Sequence, residues 1–372
     1  MVRVLVAPDK FKGTLDAHGV ASSIARGVVA HLADVDVIER PMADGGEGTA
    51  SILVDTIGGV RDEVEVDGPH GTPVRAPIAR LTDGRSIVEM ADASGLQLVS
   101  ENERDALTAS SRGTGELISA ARTRGFTTVV ALGGSASTDG GVGAATVNGW
   151  RFVDARGRDL PPGGGALEDL ARIHPPGSEG SAGPVTGLRD VDNPLLGARG
   201  AARAYARQKG ANEREVAQLE RGLEVLADRI RADVGIAVDT VPGGGAAGGM
   251  GAGLMAFFDA ELVPGFEVVA AACDLARAIQ SVDLVITGEG VLDEGSLGGK
   301  TPVGVAALAR DAQVPCLALC GSIGLSDELL ASVGFTMWAS LETEVGRPHG
   351  LTDPSGSLAT AARRLVRRYL SA

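Results

Sequence analysis

The lysines of the chain are unusual because arginine takes their place almost everywhere else. Only four of the 34 basic residues are lysines, namely Lys10, Lys12, Lys209 and Lys300, and three of them adjoin a glycine. Lysine is a compact point charge that reaches a phosphate where the backbone comes close, whereas arginine offers a planar fork. The glycine neighbours therefore favour an anion-binding role, with surface lysines retained by chance as the alternative.

The segment that ends at Lys300 predicts an anion-binding loop. It reads TGEGVLDEGSLGGKTP from residue 287 to 302 and follows an apolar run typical of a buried strand. Pro302 suits the first turn of a helix, and loop amides beside a helix N-terminus attract anions. Glu294 stands where a Walker A loop needs glycine, so the motif is not a Walker loop. The residues assigned to nucleotide phosphates here are Gly288, Glu289, Gly290, Gly298, Gly299 and Lys300.

Two carboxylates of the same loop are candidate metal ligands. Glu289 and Asp293 can either pair with Lys300 or bind a magnesium ion held by phosphate oxygens. We name Glu289 and Asp293 as the candidate Mg²⁺ ligands.

Two further glycine-rich segments follow the same pattern. Residues 133–143 combine glycines with Ser135 and Asp139, and residues 242–253 contain GxGxxG. A dinucleotide site would need a good strand before the second segment and a second strand that ends in an acid about 20 residues further on, and neither is recognisable. Tight turns or close packing are the alternative reading of both segments. From the first we assign Gly133, Gly134 and Ser135 to the nucleotide.

Two acidic segments complete the candidate chemistry. Asp44 and Glu47 lie in ADGGEG, and Asp190 and Asp192 are two residues apart, which places both on one face of an extended backbone. Such a pair suits a metal or a general base with its orienting partner, while an Asx-Pro turn at Asn193 is the alternative. The five histidines form no HxxxH pair, which disfavours a zinc or histidine-nucleophile mechanism.

Charge and cysteine content exclude several classes of protein. A formal net charge of −14 over 372 residues argues against binding to nucleic acid or to an anionic membrane surface. Three cysteines without a CxxC motif argue against a disulfide framework. Because no signal peptide or membrane span is recognisable, we expect a cytoplasmic protein.

The elements that position these residues alternate between strand and helix at both chain ends, which is typical of a parallel sheet covered on both faces. The ribbon expected over residues 62–90 is antiparallel, a helix is expected over 213–233, and a surface loop over 161–187. Ser357 is the expected cap of the last helix. We predict an α/β protein, with a Rossmann-like domain from residues 1–60 and 282–372 and an inserted α/β domain from 61–281. The predicted buried strands are Val2–Ala7, Val35–Ile38, Val129–Leu132, Leu284–Thr287, Cys316–Leu319 and Phe335–Ala339.

Taken together, the motifs resemble the bacterial glycerate kinases of the class I type. The resemblance implies a flavodoxin/Rossmann-like domain plus an inserted domain, a cleft site, ATP, Mg²⁺, and phosphorylation of D-glycerate at its C2 hydroxyl to 2-phosphoglycerate. The family usually has Gln-Thr where this chain has Gly295-Ser296, and Thr-Asn where it has Ser137-Thr138. The two missing amide side chains could bind hydroxyl groups, so these departures bear on the identity of the acceptor and not on phosphoryl transfer. The segments that carry the resemblance are 7–14, 41–49, 113–118, 133–141, 192–197, 208–211, 242–253 and 287–300.

Within such a kinase, Asp192 is our candidate general base with Asp44 in reserve, and Lys300 and Lys12 are the catalytic cations. Alternatives are a related kinase for another small hydroxy acid or polyol, a nucleotide-dependent oxidoreductase, and a non-catalytic sensor. An oligomer is compatible with the sequence. The residues assigned to the acceptor are Asp9, Lys12, Glu47, Asn193, Arg199 and Lys209.

Overall fold

The structure is a computed structural model that describes residues 1–32, 34–122, 127–177 and 184–372. The chain forms two compact units. Unit 1 contains residues 1–44 and 266–372, and unit 2 contains residues 45–265. Both ends of the chain therefore build unit 1. The sequence placed the divisions later, at 60/61 and 281/282.

The strands are β1 (Val2–Val6), β2 (Val35–Glu39), β3 (Gly59–Asp67), β4 (Pro73–Leu81), β5 (Arg85–Glu89), β6 (Thr127–Ala131), β7 (Arg151–Val153), β8 (Arg172–His174), β9 (Val185–Arg189), β10 (Glu261–Pro264), β11 (Leu284–Thr287), β12 (Val291–Leu292), β13 (Cys316–Cys320), β14 (Ser322–Ile323) and β15 (Met337–Ser340). The α-helices are α1 (Ala17–Val29), α2 (Thr49–Ile57), α3 (Met90–Ser94), α4 (Arg112–Arg122), α5 (Val142–Val147), α6 (Ala201–Tyr205), α7 (Glu213–Arg229), α8 (Ala246–Phe258), α9 (Gly265–Ala272), α10 (Leu275–Gln280), α11 (Thr301–Asp311), α12 (Asp327–Val333), α13 (Leu341–Glu344), α14 (Arg347–Thr352) and α15 (Pro354–Ser371). Short 3₁₀ helices span Leu96–Leu98, Glu101–Glu103, Gly164–Asp169, Arg207–Lys209 and Glu294–Gly298, and a π-helical turn spans Ile230–Val234.

Unit 1 is built on a five-stranded parallel sheet in the order β15-β13-β11-β1-β2. Its central strands are apolar throughout because helices cover both faces: Val4 and Val6 pack with α1 and α15, while Leu5 between them is also buried. α11 packs against β11 and β13. The predicted parallel α/β fold is confirmed for this unit.

The helices α1 and α15 pack side by side in the same direction. Ser23 Oγ lies 2.7 Å from Ser355 Oγ. One turn further along, a Cβ on Gly27 would lie 2.2 Å from the carbonyl oxygen of Ala359, so only glycine permits this approach. α15 begins at Pro354 with Asp353 as its N-cap. The predicted cap at Ser357 is therefore wrong, because Asp followed by Pro starts the helix four residues earlier.

Unit 2 is built on a six-stranded mixed sheet in the order β10-β9-β6-β5-β4-β3. β3, β4 and β5 pair antiparallel, as the sequence predicted, and β5, β6, β9 and β10 pair parallel. α2 packs against β4 and β5, so residues 49–57 belong to this unit rather than to the N-terminal domain predicted from the sequence. α7 buries the predicted apolar face, which consists of Val216, Leu219, Leu223, Leu226 and Ile230.

The loop predicted over residues 161–187 is wrong where the structure describes it. A 3₁₀ helix at Gly164–Asp169 packs against α7, and β8 and the start of β9 follow. Leu167 is fully buried, which ties this glycine-rich stretch to the core. Residues 178–183 of the predicted loop lie outside the described residues.

Among the described residues, no helix has the length and apolar character needed to cross a membrane. The three cysteines are free thiols and are buried.

Candidate functional site

In unit 1, charged side chains gather beyond the carboxyl ends of the neighbouring strands β1 and β11. The backbone N–H of Asp9 donates to the carbonyl of Gly288 at 2.8 Å, and the Thr301 hydroxyl donates to Asp9 Oδ2 at 2.7 Å. These two bonds tie the end of β1 both to the end of β11 and to the start of α11. Ligands of open α/β sheets bind at this edge.

Asp9 serves as the anchor of this edge. Its side chain is buried, and its Oδ1 accepts from the Lys10 amide at 2.6 Å and lies 3.4 Å from Lys10 Nζ. Lys10 Nζ also lies 3.9 Å from Asp44 Oδ1. Burial raises the pKa of Asp9, although the Lys10 charge opposes this shift. Both carboxylate oxygens of Asp9 are thus engaged with protein groups, although the sequence assigned Asp9 to the acceptor.

Glu289 is the group at this edge best suited to meet a ligand. Its side chain is only 8% exposed, and its Oε1 has no hydrogen-bond partner among the described residues. Burial raises its pKa to about 7, although Lys300 and a hydrogen bond with Ser296 oppose the shift. A buried carboxylate oxygen without a partner is costly unless a cation or a proton satisfies it.

The loop from residue 288 to 300, the phosphate loop, is fixed in place by short-range backbone contacts. A Cβ on Gly288 would lie 1.8 Å from the Leu319 carbonyl oxygen, so this position requires glycine. The Gly321 and Ser322 amides donate to the carbonyls of Glu289 and Gly290 at 3.1 and 3.0 Å. These contacts fix the first half of the loop against the end of β13.

The second half of the phosphate loop leads into α11. Asp293 caps the 3₁₀ helix by accepting from the Gly295 amide at 2.9 Å, so one oxygen of this predicted metal ligand already has a structural role. Gly299 adopts φ +101° and Lys300 is the N-cap of α11, with Pro302 in the first turn as predicted. Among the described residues, and apart from the immediate chain neighbours, no heavy atom lies within 4 Å of the Cβ positions of Gly298 and Gly299. A phosphate can therefore approach this backbone closely.

Lys12, the second predicted cation, lies in an exposed turn beside the phosphate loop. Its backbone nitrogen is 3.4 Å from the Cβ position of Gly290, and the turn is closed by pairing of Phe11 with Leu15. Unit 1 therefore brings Asp9, Lys12, Asp44, Glu289 and Lys300 to the same edge of its sheet.

In unit 2, the two glycine-rich segments 133–143 and 242–253 meet at the buried amine of Lys209. Its Nζ donates to Ser135 Oγ at 2.8 Å and to the Ser137 carbonyl at 2.6 Å, and lies 2.9 Å from the Cβ position of Gly248. Burial lowers its pKa to about 7, although Asp139 and Asp190 oppose this shift. The amine thus holds protein loops together, whereas the sequence assigned it to the acceptor.

Asp139 keeps the neighbouring loop in shape. It is almost fully buried and accepts from the Ser111 amide at 2.8 Å, the Ser111 hydroxyl at 2.9 Å, and the Gly141 and Gly143 amides at 3.1 and 3.2 Å. A Cβ on Gly133 would lie 2.6 Å from Gly46 Cα. Gly134 adopts φ +78° beside Ser135. The predicted loop residues 133–135 are therefore rigidly placed.

The predicted base segment lies beyond the end of β9. Asp192 forms an ion pair with Arg189 and is 44% exposed. The Asn193 amide donates to the Arg199 carbonyl at 2.7 Å and accepts from the Tyr205 hydroxyl at 2.8 Å, so both of its polar atoms are engaged. Burial raises the pKa of Tyr205, which the sequence did not single out, to about 12. The Arg199 side chain is exposed.

Glu89 is a further polar residue that the sequence did not reveal. Its two carboxylate oxygens accept from the Gly48 and Ala50 amides at 3.0 and 2.6 Å, which caps the N-terminus of α2. Burial raises the pKa of the neighbouring Asp92 to about 7, and the charges of Glu89 and Glu47 add to this shift. Glu47 is thus part of an acidic group at this end of α2.

Across the described part of the chain, no group of three or more histidine, cysteine or acidic side chains is arranged to hold a metal ion. Magnesium bound with phosphates needs only one or two protein carboxylates. Glu289 and Asp293 therefore remain compatible with such a site.

The chain is similar to kinases over nearly its whole length. Residues 4–370 match the glycerate kinase family. The chain belongs to this family. It is 39% identical over 349 residues to the glycerate 2-kinase of Escherichia coli, covering 93% of this chain and 92% of that protein. It is 41% identical over 326 residues to the glycerate kinase of Bacillus subtilis, covering 87% of this chain and 85% of that protein.

A solved crystal structure is also similar to this chain. The crystal structure titled putative glycerate kinase 2 from Salmonella typhimurium LT2 superposes with a TM-score of 0.78 at 37% identity, covering all of this chain and 98% of that one. Three predictions are confirmed: the family, the two-domain α/β fold class, and the enzyme class, which is a glycerate kinase that transfers a phosphoryl group. The oxidoreductase and sensor alternatives are set aside.

The buried amine of Lys209 predicts a pH dependence of stability. Its pKa falls from the usual 10.5 to about 7 in the folded kinase, so between these values the unfolded chain binds more protons. The contribution of Lys209 to the free energy of unfolding therefore rises from pH 7 towards pH 10. Relative to Lys209→Met, the wild type should gain on the order of 1 kcal/mol or more between pH 7 and 9.

Urea midpoints at pH 7, 8 and 9, followed by far-UV circular dichroism, measure this difference. Lys12→Met, which removes an exposed lysine, controls for the loss of one basic residue. The buried position of the amine is contradicted if the free energy of unfolding of the wild type does not rise relative to that of Lys209→Met between pH 7 and 9.

Proposed function

We propose that this kinase transfers the γ-phosphoryl group of ATP to the C2 hydroxyl of D-glycerate and so forms 2-phosphoglycerate. The observation that carries the proposal is the phosphate loop, which runs to Lys300 at the N-terminus of α11 from Glu289, whose buried Oε1 has no hydrogen-bond partner among the described residues. The printed name of the Escherichia coli relative, glycerate 2-kinase, supports the position of transfer.

In this proposal, the phosphate loop and the start of α11 bind the ATP phosphates. Phosphate groups can approach the open backbone at Gly298 and Gly299. The backbone amides of the first turn of α11 attract their negative charge. Lys300 neutralises the outer phosphates, and Lys12 faces the transferred group. The Thr301–Asp9 hydrogen bond holds the helix start in place, which matters because phosphoryl transfer depends mainly on positioning and charge stabilisation.

Magnesium is the proposed metal of the reaction. The unpartnered Glu289 Oε1 fits a cation, and Asp293 keeps a second oxygen besides the one that caps the 3₁₀ helix. Bound there, Mg²⁺ would neutralise phosphate charge and orient the phosphates. Ser296 and Lys300 would then hold Glu289 in its ionised form, because both lower its pKa.

Asp192 is proposed to receive the proton of the attacking hydroxyl, with Asp44 in reserve. Asp192 forms an ion pair with Arg189, and its partly exposed side chain is accessible to an acceptor. Asp44 Oδ1 lies 3.9 Å from Lys10 Nζ. A loose transition state asks little of a base, so the loss of either carboxylate should cost less than the loss of Lys300.

The acceptor is proposed to be held by unit 2. The exposed Arg199 can bind the glycerate carboxylate through its planar fork, with Asn193 fixing the segment and Glu47 offering an acceptor to hydroxyl groups. Lys209 acts through Ser135, whose hydroxyl it orients, and Gly133 and Gly134 set the backbone there.

A second candidate is a kinase for another small hydroxy acid. The hydroxyls of Ser137 and Thr138, where the chain departs from the usual family residues, are fully buried and have no hydrogen-bond partner among the described residues. Buried hydroxyls of this kind discriminate between acceptors, because an acceptor that cannot hydrogen-bond to them leaves them without a partner and binds more weakly.

The role of Lys300 is tested by substitution. Lys300→Ala should lower kcat/KM by about 100-fold or more with the fold intact, because it removes a charge contact to the transferring phosphates. Lys300→Arg should not restore activity, since the planar guanidinium does not replace a compact ammonium. Steady-state ADP release measures both variants. Arg310→Gln, at the opposite end of α11, is the control, and near wild-type activity in Lys300→Ala would sink the assignment.

The role of magnesium is tested by chelation. Activity should vanish with a chelator and return with Mg²⁺, and Glu289→Gln should raise the Mg²⁺ concentration for half-maximal activity by about tenfold or more. Glu294→Gln, an exposed acid of the same loop, should leave this concentration unchanged. Full turnover of protein shown to be metal-free by elemental analysis contradicts the proposal.

The site of phosphorylation is tested by the fate of the product. With D-glycerate and ATP, enolase alone should dehydrate the product, because enolase accepts 2-phosphoglycerate and not its 3-isomer. A requirement for phosphoglycerate mutase before enolase gives a signal would show transfer to C3. A panel of hydroxy acids in the same ADP-release assay tests the second candidate, which gains support if glycerate is inert and another acid reacts.

A further inference from the structure

A basic cavity lies in unit 1 away from the phosphate loop. It has a volume of about 500 Å³ and is lined by Ala30, His31, Arg363, Arg364 and Arg367. None of these residues has a role in the proposed reaction. The cavity is unusual in a chain of net charge −14, because three arginines and no carboxylate line it.

The packing of α1 against α15 creates the cavity. The two helices run parallel in contact from Ser23 and Ser355 to Gly27 and Ala359. α1 then ends at Val29, whereas α15 continues to Ser371, so Arg363 and Arg367 extend past the end of α1.

The cavity is remote from the candidate active site within the same unit. α1 begins after the carboxyl end of β1, where Asp9 lies, and its 13 residues span about 20 Å. Its C-terminal end therefore reaches the opposite, amino-end side of the parallel sheet, just before β2. A ligand bound there is separate from one bound at the phosphate loop.

Two of the three arginine charges around the cavity are not neutralised by the described residues. Glu344 takes Arg364 and Arg368 as partners, with Arg368 Nη1 at 2.6 Å from Glu344 Oε1. In the part of the chain that the structure describes, the side chains of Arg363 and Arg367 have no hydrogen bond or ion pair, and they stand one helical turn apart. Like charges at this spacing destabilise a helix by a few tenths of a kcal/mol.

The C-terminal dipole of α1 does not account for this charge. A helix C-terminus carries a partial charge of about −0.5, which a single cation offsets. The two arginines Arg363 and Arg367, which have no ion-pair partner among the described residues, exceed that need. Their arrangement matches instead a compact anion with several charged oxygens, because guanidinium groups bind phosphate oxygens in pairs.

We propose that this cavity binds a small phosphate compound that carries at least two negative charges, such as an organic phosphate or a diphosphate. A volume of about 500 Å³ suits a ligand of that size. Arg363 and Arg367 bind the phosphoryl oxygens. Arg364, which lies beside Glu344, adds positive charge, and His31 donates a hydrogen bond to the ligand. The strongly negative net charge of the chain disfavours a long polyanion at this place.

Calorimetric titration with inorganic pyrophosphate at low ionic strength tests the proposal. It is carried out on Lys300→Ala protein, in which binding at the phosphate loop is weakened. The Arg363→Gln/Arg367→Gln double variant should lose at least tenfold in affinity. Arg277→Gln/Arg310→Gln removes the same charge from exposed helical arginines of unit 1 and should bind as the parent does.

Two further measurements separate this site from the candidate active site. In an otherwise wild-type chain, the Arg363→Gln/Arg367→Gln variant should keep its kcat/KM with ATP and glycerate and its melting temperature. The double substitution by lysine should retain only part of the affinity, because the paired hydrogen bonds are lost. Equal pyrophosphate affinity in the two double glutamine variants, or no binding once Lys300 is removed, would overturn the proposal.

Discussion

The buried hydrogen bond from Thr301 to Asp9 is the constraint on which the unit 1 site depends. It joins the end of β1 to the first residue of α11 across 292 positions of sequence, while the Asp9 amide holds the end of β11 through Gly288. With both ends fixed, the phosphate loop has to bridge a set distance. Its glycines allow this bridge, and the carboxylate of Asp9 stays buried because Thr301 and Lys10 satisfy its oxygens.

Unit 2 relies on a buried amine in the same way. Burying an amine is costly, and the lowered pKa of Lys209 is the measure of that cost. The cost is offset by bonds to Ser135 and Ser137 that join distant loops. Gly248 completes the arrangement, because with φ +71° and a Cβ position 2.1 Å from the Ser137 carbonyl no other residue fits beside the amine.

Features set by neighbours in sequence could be predicted, and features set by distant contacts could not. The strand at Leu284–Thr287 and the helix start at Lys300 follow from apolar runs and from Pro302. The capping role of Glu89 needs α2 to pack beside β5, 41 positions away from Gly48, and nothing local signals this. The sequence named Asp9 and Lys209 for their motifs but missed that both are buried, because burial is decided by the fold.

The lysines illustrate why residue choice carried so much information. Lys10 lies between Asp9 and Asp44, where its single charge serves two carboxylates. Lys209 Nζ donates to two acceptors, Ser135 Oγ and the Ser137 carbonyl, in a space that Gly248 borders. Lys300 stands at the start of a helix whose backbone must stay open to phosphate. In a chain that otherwise uses arginine, Lys10 and Lys209 thus lie where one compact charge meets more than one acceptor, whereas Arg363 and Arg367 lie one helical turn apart, where paired bonds to an anion are possible.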